Sequence, residues 1–340
     1  MQEAFKERQI KMKTVLLFSL PLVLAFAGCT NSAPPAPQPA AGLETPAKLQ
    51  SLKARALVIL EAALNSDNAY LRSHAIEVVA ETRQKQMLPL VVKLTTDRSV
   101  AVRFAAATGL GDMQCFSCEN VLTRMLNDPD MNVQIGAAYA LAKMNQLKYR
   151  ELIRTAAVST DPTVRANAVL LLGKLGNRDD LALLYEVLNN NESTDKVRMQ
   201  AVESIARLGD ERMYRSKLWA LLISKFADDR VMGIRGMGAL NTPESRGAIV
   251  TMLQDDVPEV RLTAAEQLAR LGDKRGETQV YEYFQTQPDL NKMDMANGMA
   301  VRAIGYLASS RLNSLLPQII ETPSRDLQLI AAQAVLLQAK

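Results

Sequence analysis

An all-α solenoid is the fold class this 340-residue sequence predicts, and three observations predict it. One phrase returns along the chain: "DPTVRANAVLLLGKLG" at 161–176, "DKVRMQAVESIARLG" at 195–209 and "VPEVRLTAAEQLARLG" at 257–272. The composition is 48% apolar but only 5% aromatic, which suits a core of small aliphatic side chains. Runs of β-branched residues bounded by hairpin turns are scarce. The length alone would suggest about two globular domains, but a stacked array grows as one body.

The N-terminus does not belong to the array. "KMKTVLLFSLPLVLAFAGC" has a basic start, an apolar run from Val15 to Ala27 and small residues before Cys29. That is the pattern of a secretory signal, and the run is too short to span a bilayer comfortably. "MKTVLL" opens like a signal peptide and "MQEAFKERQIK" does not, which leaves the start open between Met1 and Met12. "FAGC" resembles the lipobox of bacterial lipoproteins, with Phe26 standing where Leu is usual. The resemblance implies cleavage before Cys29, with a diacylglycerol on its sulfur and an acyl chain on its new amine. Several acyl chains would hold the chain firmly, where a single one holds it marginally. Loss of residues 1–28 removes Lys6, Arg8, Lys11 and Lys13 with Glu3 and Glu7, so the formal charge falls from +4 to +2. A nearly neutral chain without clustered Lys and Arg has no nucleic-acid footprint.

"TNSAPPAPQPAAGLETP", residues 30–46, is too rich in Pro and Ala to bury a core and reads as an extended, semi-rigid tether. Thr30 is not the Asp that often retains lipoproteins at an inner membrane, so the expected location is the bacterial outer membrane, facing the periplasm. The predicted domains are a signal peptide at 1–28, a lipidated Cys and tether at 29–46, and a helical array at 47–340.

Alignment on the Arg of the recurring "VR" pair gives the column Arg72, Arg103, Gln134, Arg165, Arg198, Arg230, Arg261, Asn297 and Gln328. Three residues on, it reads Ala75, Ala106, Ala137, Ala168, Ala201, Gly233, Ala264, Ala300 and Ala331. A fixed period near 31 marks stacked helix pairs. Apolar or small residues at offsets −1, +3, +7 and +10 define one helix face. The small residue at +3 lets neighbouring helix axes approach. Asp161, Asp195 and Asp228 stand where a helix cap is useful, and Gly176, Gly209 and Gly272 where a left-handed stop is. "ENVLTRML" at 119–126, "DLALLYEVL" at 180–188 and "RGAIVTML" at 246–253 supply the first helices of their pairs, with residues 47–64 as the first of all. The sequence thus predicts about nine helix pairs wound into a continuous superhelix.

The phrase D-x-x-V-R-x-x-A-x-x-x-L-x-x-L-G resembles the short HEAT-like repeat, including the type first named from phycobilisome lyases. The resemblance implies a right-handed α-α superhelix. It also implies polar ladders of Asp and Arg, which assigns a structural role to Arg72, Arg103, Arg165, Arg198, Arg230 and Arg261. Gln134, Asn297 and Gln328 break that ladder, and Asp229 stands where Val is usual; less rigid stacking is expected there.

Catalytic signals are few. A zinc or two-metal site needs several converging ligands, and His74 is the chain's single His. Some HEAT-like enzymes, deoxyhypusine hydroxylase among them, hold di-iron through His-Glu pairs, and this sequence has no such pair. No metal and no cofactor is expected. Cys115 and Cys118 form a C-x-x-C between two helices, for which a local disulfide in an oxidising compartment is the favoured reading over a redox or metal role. "GIRGMG" at 233–238 lacks a preceding strand, so three glycines in one helix point to close helix approach, or to the least stable or most curved part of the array. The widest gap leaves extra chain at 286–297, where insertions in solenoids meet partners. Beside it stand Tyr281, Tyr283 and Phe284, and Trp219 lies near Tyr214 and Phe226. Such aromatics serve the core or a partner contact.

The functional expectation is therefore a lipid-anchored, non-catalytic scaffold whose concave wall of second helices binds a protein or peptide. The rival readings are a bilin-lyase-like or other enzyme-associated protein, against which the export signal argues, and a purely structural spacer.

Overall fold

The computed structural model describes residues 46–338. Those residues lie in one compact unit, Pro39–Lys340. The signal pattern, Cys29 and the tether up to residue 45 lie outside the described residues.

Helices alternate between two layers. The inner layer holds α2 (Ala69–Thr82), α4 (Val100–Asp112), α6 (Met131–Lys143), α8 (Pro162–Leu175), α10 (Asp195–Arg207), α12 (Ala227–Leu240), α14 (Pro258–Arg270), α16 (Met295–Leu307) and α19 (Arg325–Gln338). Each begins near a residue of the Arg column. The outer layer holds α1 (Pro46–Leu64), α3 (Leu88–Lys93), α5 (Glu119–Met125), α7 (Arg150–Ala156), α9 (Leu181–Asn189), α11 (Trp219–Leu222), α13 (Pro243–Thr251) and α15 (Glu277–Gln285), and ends with the short α17 (Ser310–Asn313) and α18 (Leu316–Ile319). Among the described residues these make nine pairs and no strand.

The small column at +3 is the seam of the inner layer. Ala75, Ala106, Ala137, Ala168, Ala201, Ala264, Ala300 and Ala331 are all fully buried. A second small column tightens the curve. The Cβ of an alanine at Gly111 would fall 2.6 Å from the Ala140 Cα, and at Gly173 2.9 Å from the Ser204 Cα. Adjacent inner helices therefore touch backbone to backbone. In α12, a Cβ at Gly233 would lie 3.0 Å from the Leu222 nitrogen, so its glycines serve close approach, and the helix runs unbroken from Ala227 to Leu240.

Caps set each inner helix's length. Asp161 accepts from the Thr163 and Val164 amides, as the sequence leads one to expect. Asp195 and Asp228 lie inside their helices instead: Thr194 caps α10, and Phe226 holds the cap position of α12. At the other end Gly176, Gly209 and Gly272 adopt φ of 77°, 74° and 80°. The same register is left-handed at Arg83, Gln114, Asn145, Asn241 and Ala308, so the stop belongs to the repeat geometry and not to glycine alone.

The continuous superhelix expected from the repeats brings its two ends together. α19 packs on α1 and on α2, and Arg55 of α1 forms a two-bond ion pair with Glu321, at 3.0 and 3.1 Å. Within residues 46–338 the inner layer closes on itself. The small columns tighten each step enough for nine pairs to complete a turn, and a broad open concave wall is replaced by a lumen.

Candidate functional site

Two further columns of the repeat face that lumen, at offsets +5 and +9 from the Arg column. The +5 column reads Glu77, Thr108, Tyr139, Leu170, Glu203, Arg235, Glu266, Arg302 and Gln333; the +9 column reads Glu81, Asp112, Lys143, Lys174, Arg207, Ala239, Arg270, Tyr306 and Leu337. One cavity of ≈ 540 Å³ has Glu77, Glu81, Asp112, Lys143, Lys174 and Arg270 in its wall. Another of ≈ 440 Å³ is walled by Glu203, Arg207, Arg235, Glu266, Arg270 and Arg302. In these columns the first two inner helices thus bring only acidic charges, and α10 to α16 bring four guanidinium groups with Glu203 and Glu266 among them.

Side-chain bonds tie the inner helices across the lumen, several of them between repeats that are not neighbours. Lys174 Nζ donates to Asp112 Oδ2 at 2.6 Å, and Tyr139 OH donates to Asp112 Oδ1. Tyr306 OH and Gln333 Nε2 both donate to Glu81, and Arg270 lies 3.5 Å from the same carboxylate. The Arg270 guanidinium also stacks 4.7 Å from the Tyr306 ring centre. Glu266, nearly inaccessible to solvent, is shared by Arg270 at 3.1 Å and Arg302 at 3.7 Å. Burial first, and then the neighbouring carboxylates, raises the Tyr139 and Tyr306 hydroxyl pKa values far above the usual tyrosine range; both act as hydrogen-bond donors at any physiological pH.

The arginine column lies away from the lumen, at the start of each inner helix. Arg72 donates from Nε and Nη2 to Asp97 at 2.8 Å each, and from Nη1 to the Ser66 carbonyl at 2.7 Å. Arg103 repeats this on Asp128 and the Asp97 carbonyl. Arg230 repeats it on Asp255 and the Ser224 carbonyl. The carboxylate comes from the next repeat, six residues before that repeat's Arg-column position. These are not the Asp residues that the sequence motif singles out. Arg165, Arg198 and Arg261 are corrected: they bond chiefly to backbone carbonyls, those of Glu192, of Asn190 and Asn191, and of Asp255. The next repeat offers them no Asp at the matching position, so the ladder is interrupted. Gln134 still reaches the Asp128 carbonyl at 2.7 Å. Asn297, fully buried, bonds to Tyr283, to the Asp294-capped helix start and to the Asp289 and Lys292 carbonyls. It ties down the inserted loop where looser stacking was expected.

Cys115 and Cys118 are joined by a disulfide at the turn before α5. Phe284 is buried, which removes it as a partner contact, because it packs in the core. Tyr283 is half-buried, and burial raises its pKa to about 12. Tyr281 is covered by the Arg311 guanidinium, 3.2 Å from its ring centre. Trp219 is 45% exposed and is the one of these four that faces solvent.

Comparison with known proteins matches the HEAT repeats family over residues 56–116, 118–206, 151–222 and 215–290. The chain belongs to the HEAT repeat family. An uncharacterized phycocyanin operon protein Z of Pseudanabaena tenuis is 24% identical over 157 residues, 44% of this chain and 78% of that protein. Among solved structures, the CpcE–CpcF complex of phycocyanin lyase from Nostoc sp. is 18% identical, with a TM-score of 0.43 over 85% of this chain and 100% of that one. Human deoxyhypusine hydroxylase is 16% identical, with a TM-score of 0.38 over 77% and 99%.

In this HEAT ring the chain's single histidine lies within electrostatic reach of Arg302 and Glu81. His74 Nδ1 is buried and has no hydrogen-bond partner. Burial, reinforced by Arg302 and opposed by Glu81, lowers its pKa to about 4, so the ring is neutral. Glu77, one turn further on, is pushed above the usual carboxylate range, first by burial, with Glu81 and Asp112 adding to it and Lys174 and Arg302 opposing. The HEAT motif gives no sign of the +5 and +9 columns, because charged residues on a helix face ordinarily read as solvated. The signal that could have found them is their charge: Glu and Asp alone on the first two inner helices, and an excess of Arg over Glu on α10 to α16.

Proposed function

We propose that this HEAT-repeat protein is a lipid-anchored docking scaffold of the bacterial envelope, acting by binding a protein partner and not by catalysis. The observation that carries the docking part is an apolar patch in the sixth repeat, where Trp219, Ile223 and Phe226 are 45%, 67% and 59% exposed. The outer helix there passes through a π-helical stretch, Tyr214–Leu218, into Trp219–Leu222, and Tyr214 packs beside the Trp219 ring at 6.1 Å. Clustered exposed apolar side chains favour association, and a rigid Trp is a frequent energetic anchor. The anchoring part rests on the sequence around Cys29: lipid on its sulfur and amine, a tether to residue 46, and the array held near the membrane on the periplasmic side.

A photo-crosslinking residue placed at 219 in the full chain, in intact envelopes, should capture one discrete partner. The same probe at Arg124, on the exposed side of α5, should not. Equal labelling at both sites contradicts docking at the sixth repeat. Incorporation of labelled palmitate that disappears in Cys29→Ser tests the anchor; unchanged incorporation contradicts it. The similarity to a phycocyanin operon protein supports a second reading, a bilin-handling role. A purified chain that is coloured, or that takes up bilin, would put that reading first.

A further inference from the structure

The guanidinium-rich side of the lumen has a gap at one helix. At +9 every inner helix carries a large side chain except α12, which carries Ala239. The ≈ 440 Å³ cavity lies in front of Ala239 and Gly238. Around it, Arg207 is taken by Glu203 at 2.6 Å, and Arg270 by Glu266 at 3.1 Å. Arg302 has only the 3.7 Å contact with that same, already paired Glu266. Arg235 is solvent-exposed and makes no hydrogen bond or ion pair among the described residues. Two guanidinium groups therefore face one polar cavity with little compensating charge.

We propose that this cavity binds a small phosphorylated sugar or polyol through Arg235 and Arg302, a ligand independent of any partner at Trp219. Like-charged groups on an enclosing wall repel, and an anion between them relieves the repulsion. A phosphate monoester brings about −1.5 to −2 charges and three acceptor oxygens near neutral pH. The planar guanidinium fork matches those oxygens two at a time. The cavity is larger than a phosphate alone needs, and in its remaining wall Glu203 and Gln267 offer polar partners to hydroxyl groups. No aromatic ring lines it, so it has no platform for a nucleobase, and the favoured ligand is a sugar phosphate over a nucleotide.

Calorimetric titration of the purified full chain in detergent with glucose 6-phosphate, and with glucose at matched ionic strength, tests this. Saturable binding of the phosphate and none of the sugar is expected, with inorganic phosphate competing. Arg235→Ala should weaken binding about tenfold or more, the worth of one charge-assisted hydrogen bond. Its melting temperature without ligand should stay nearly unchanged, since Arg235 is exposed and makes no hydrogen bond or ion pair among the described residues. Arg124→Ala, removing a charge from α5, should bind as the unsubstituted chain does. Absence of saturable binding, or equal affinity in Arg235→Ala and Arg124→Ala, overturns the proposal.

Discussion

Lys174 Nζ stands 2.6 Å from Asp112 Oδ2 although the two residues are 62 positions apart and α6 lies between their helices. Tyr139 of α6 donates to the same carboxylate. Three successive inner helices are thus tied at one point in the lumen, which a shallow curve would not allow. Asp112→Ala should lower stability by about 2–3 kcal/mol, because it leaves the Tyr139 hydroxyl and the Lys174 ammonium without their acceptor. Asp112→Asn keeps an acceptor and should lose less. Urea midpoints of both variants check the order.

The Arg ladder predicts unequal penalties. Arg72 and Asp97 have side chains only 7% and 10% exposed. Burial would raise the Asp97 pKa, but the bonds from Arg72 and the Ser99 amide hold it below the usual carboxylate range. Removing one partner of such a pair costs about 3–5 kcal/mol, so Arg72→Ala should fall in that range. Arg261, which reaches only the Asp255 carbonyl, should cost about 1 kcal/mol on the same substitution. Equal losses in the two variants would show that the carboxylate adds nothing.

Close approach in the inner layer predicts that a methyl group is harmful where helix propensity favours it. Alanine stabilises an ordinary helix interior by about 1 kcal/mol relative to glycine. At Gly111 the new carbon would meet the Ala140 backbone at 2.6 Å, so α4 and α6 must separate. Gly111→Ala should therefore destabilise by about 1–3 kcal/mol. Gly247, which has open space around it, is the matched control, and Gly247→Ala should be neutral or mildly stabilising. Thermal melts of the two variants, read side by side, decide this.

His74 predicts an acid-side slope. Its pKa falls from 6.5 to about 4 on folding, so between those values the unfolded chain binds more protons than the folded one. Stability contributed by neutral His74 is present above pH 6.5 and is lost as the pH falls toward 4. Glu77, whose pKa is raised, acts in the opposite sense: its contribution is present at low pH and lost as the pH rises past its folded value. The difference between the unsubstituted chain and His74→Asn isolates the first effect. On this account the histidine chain loses on the order of 2 kcal/mol more than the variant between pH 7 and pH 4. Parallel stability curves would contradict it.

The period, the pairing of helices and the buried Ala column were legible because they recur in every repeat. Ala168 and Ala201 are read from the chain and found at zero exposure. The ladder's arginines were legible, but their carboxylates were not, because Asp97 and Asp128 belong to the next repeat and sit in loops before its cap. Asp195 looked like a cap and is not one, since Thr194 precedes it and holds the Val197 amide. Closure was invisible for a different reason. Each step's curvature depends on ångström-scale contacts such as Gly173 against Ser204, and only their sum over the array brings α19 back to α1. The charged lumen follows from closure, and so could not be read before it.

The most direct measurement of the account is the distance between its two ends. Nitroxide labels at Val58, an exposed site on α1, and at Gln328 on α19 flank one shared surface depression. Pulsed electron–electron resonance on the full chain should give a single narrow distribution within about two helix spacings, ~20 Å. An open array would leave the ends several helix spacings apart, and a broad or long distribution would contradict closure and the lumen built on it.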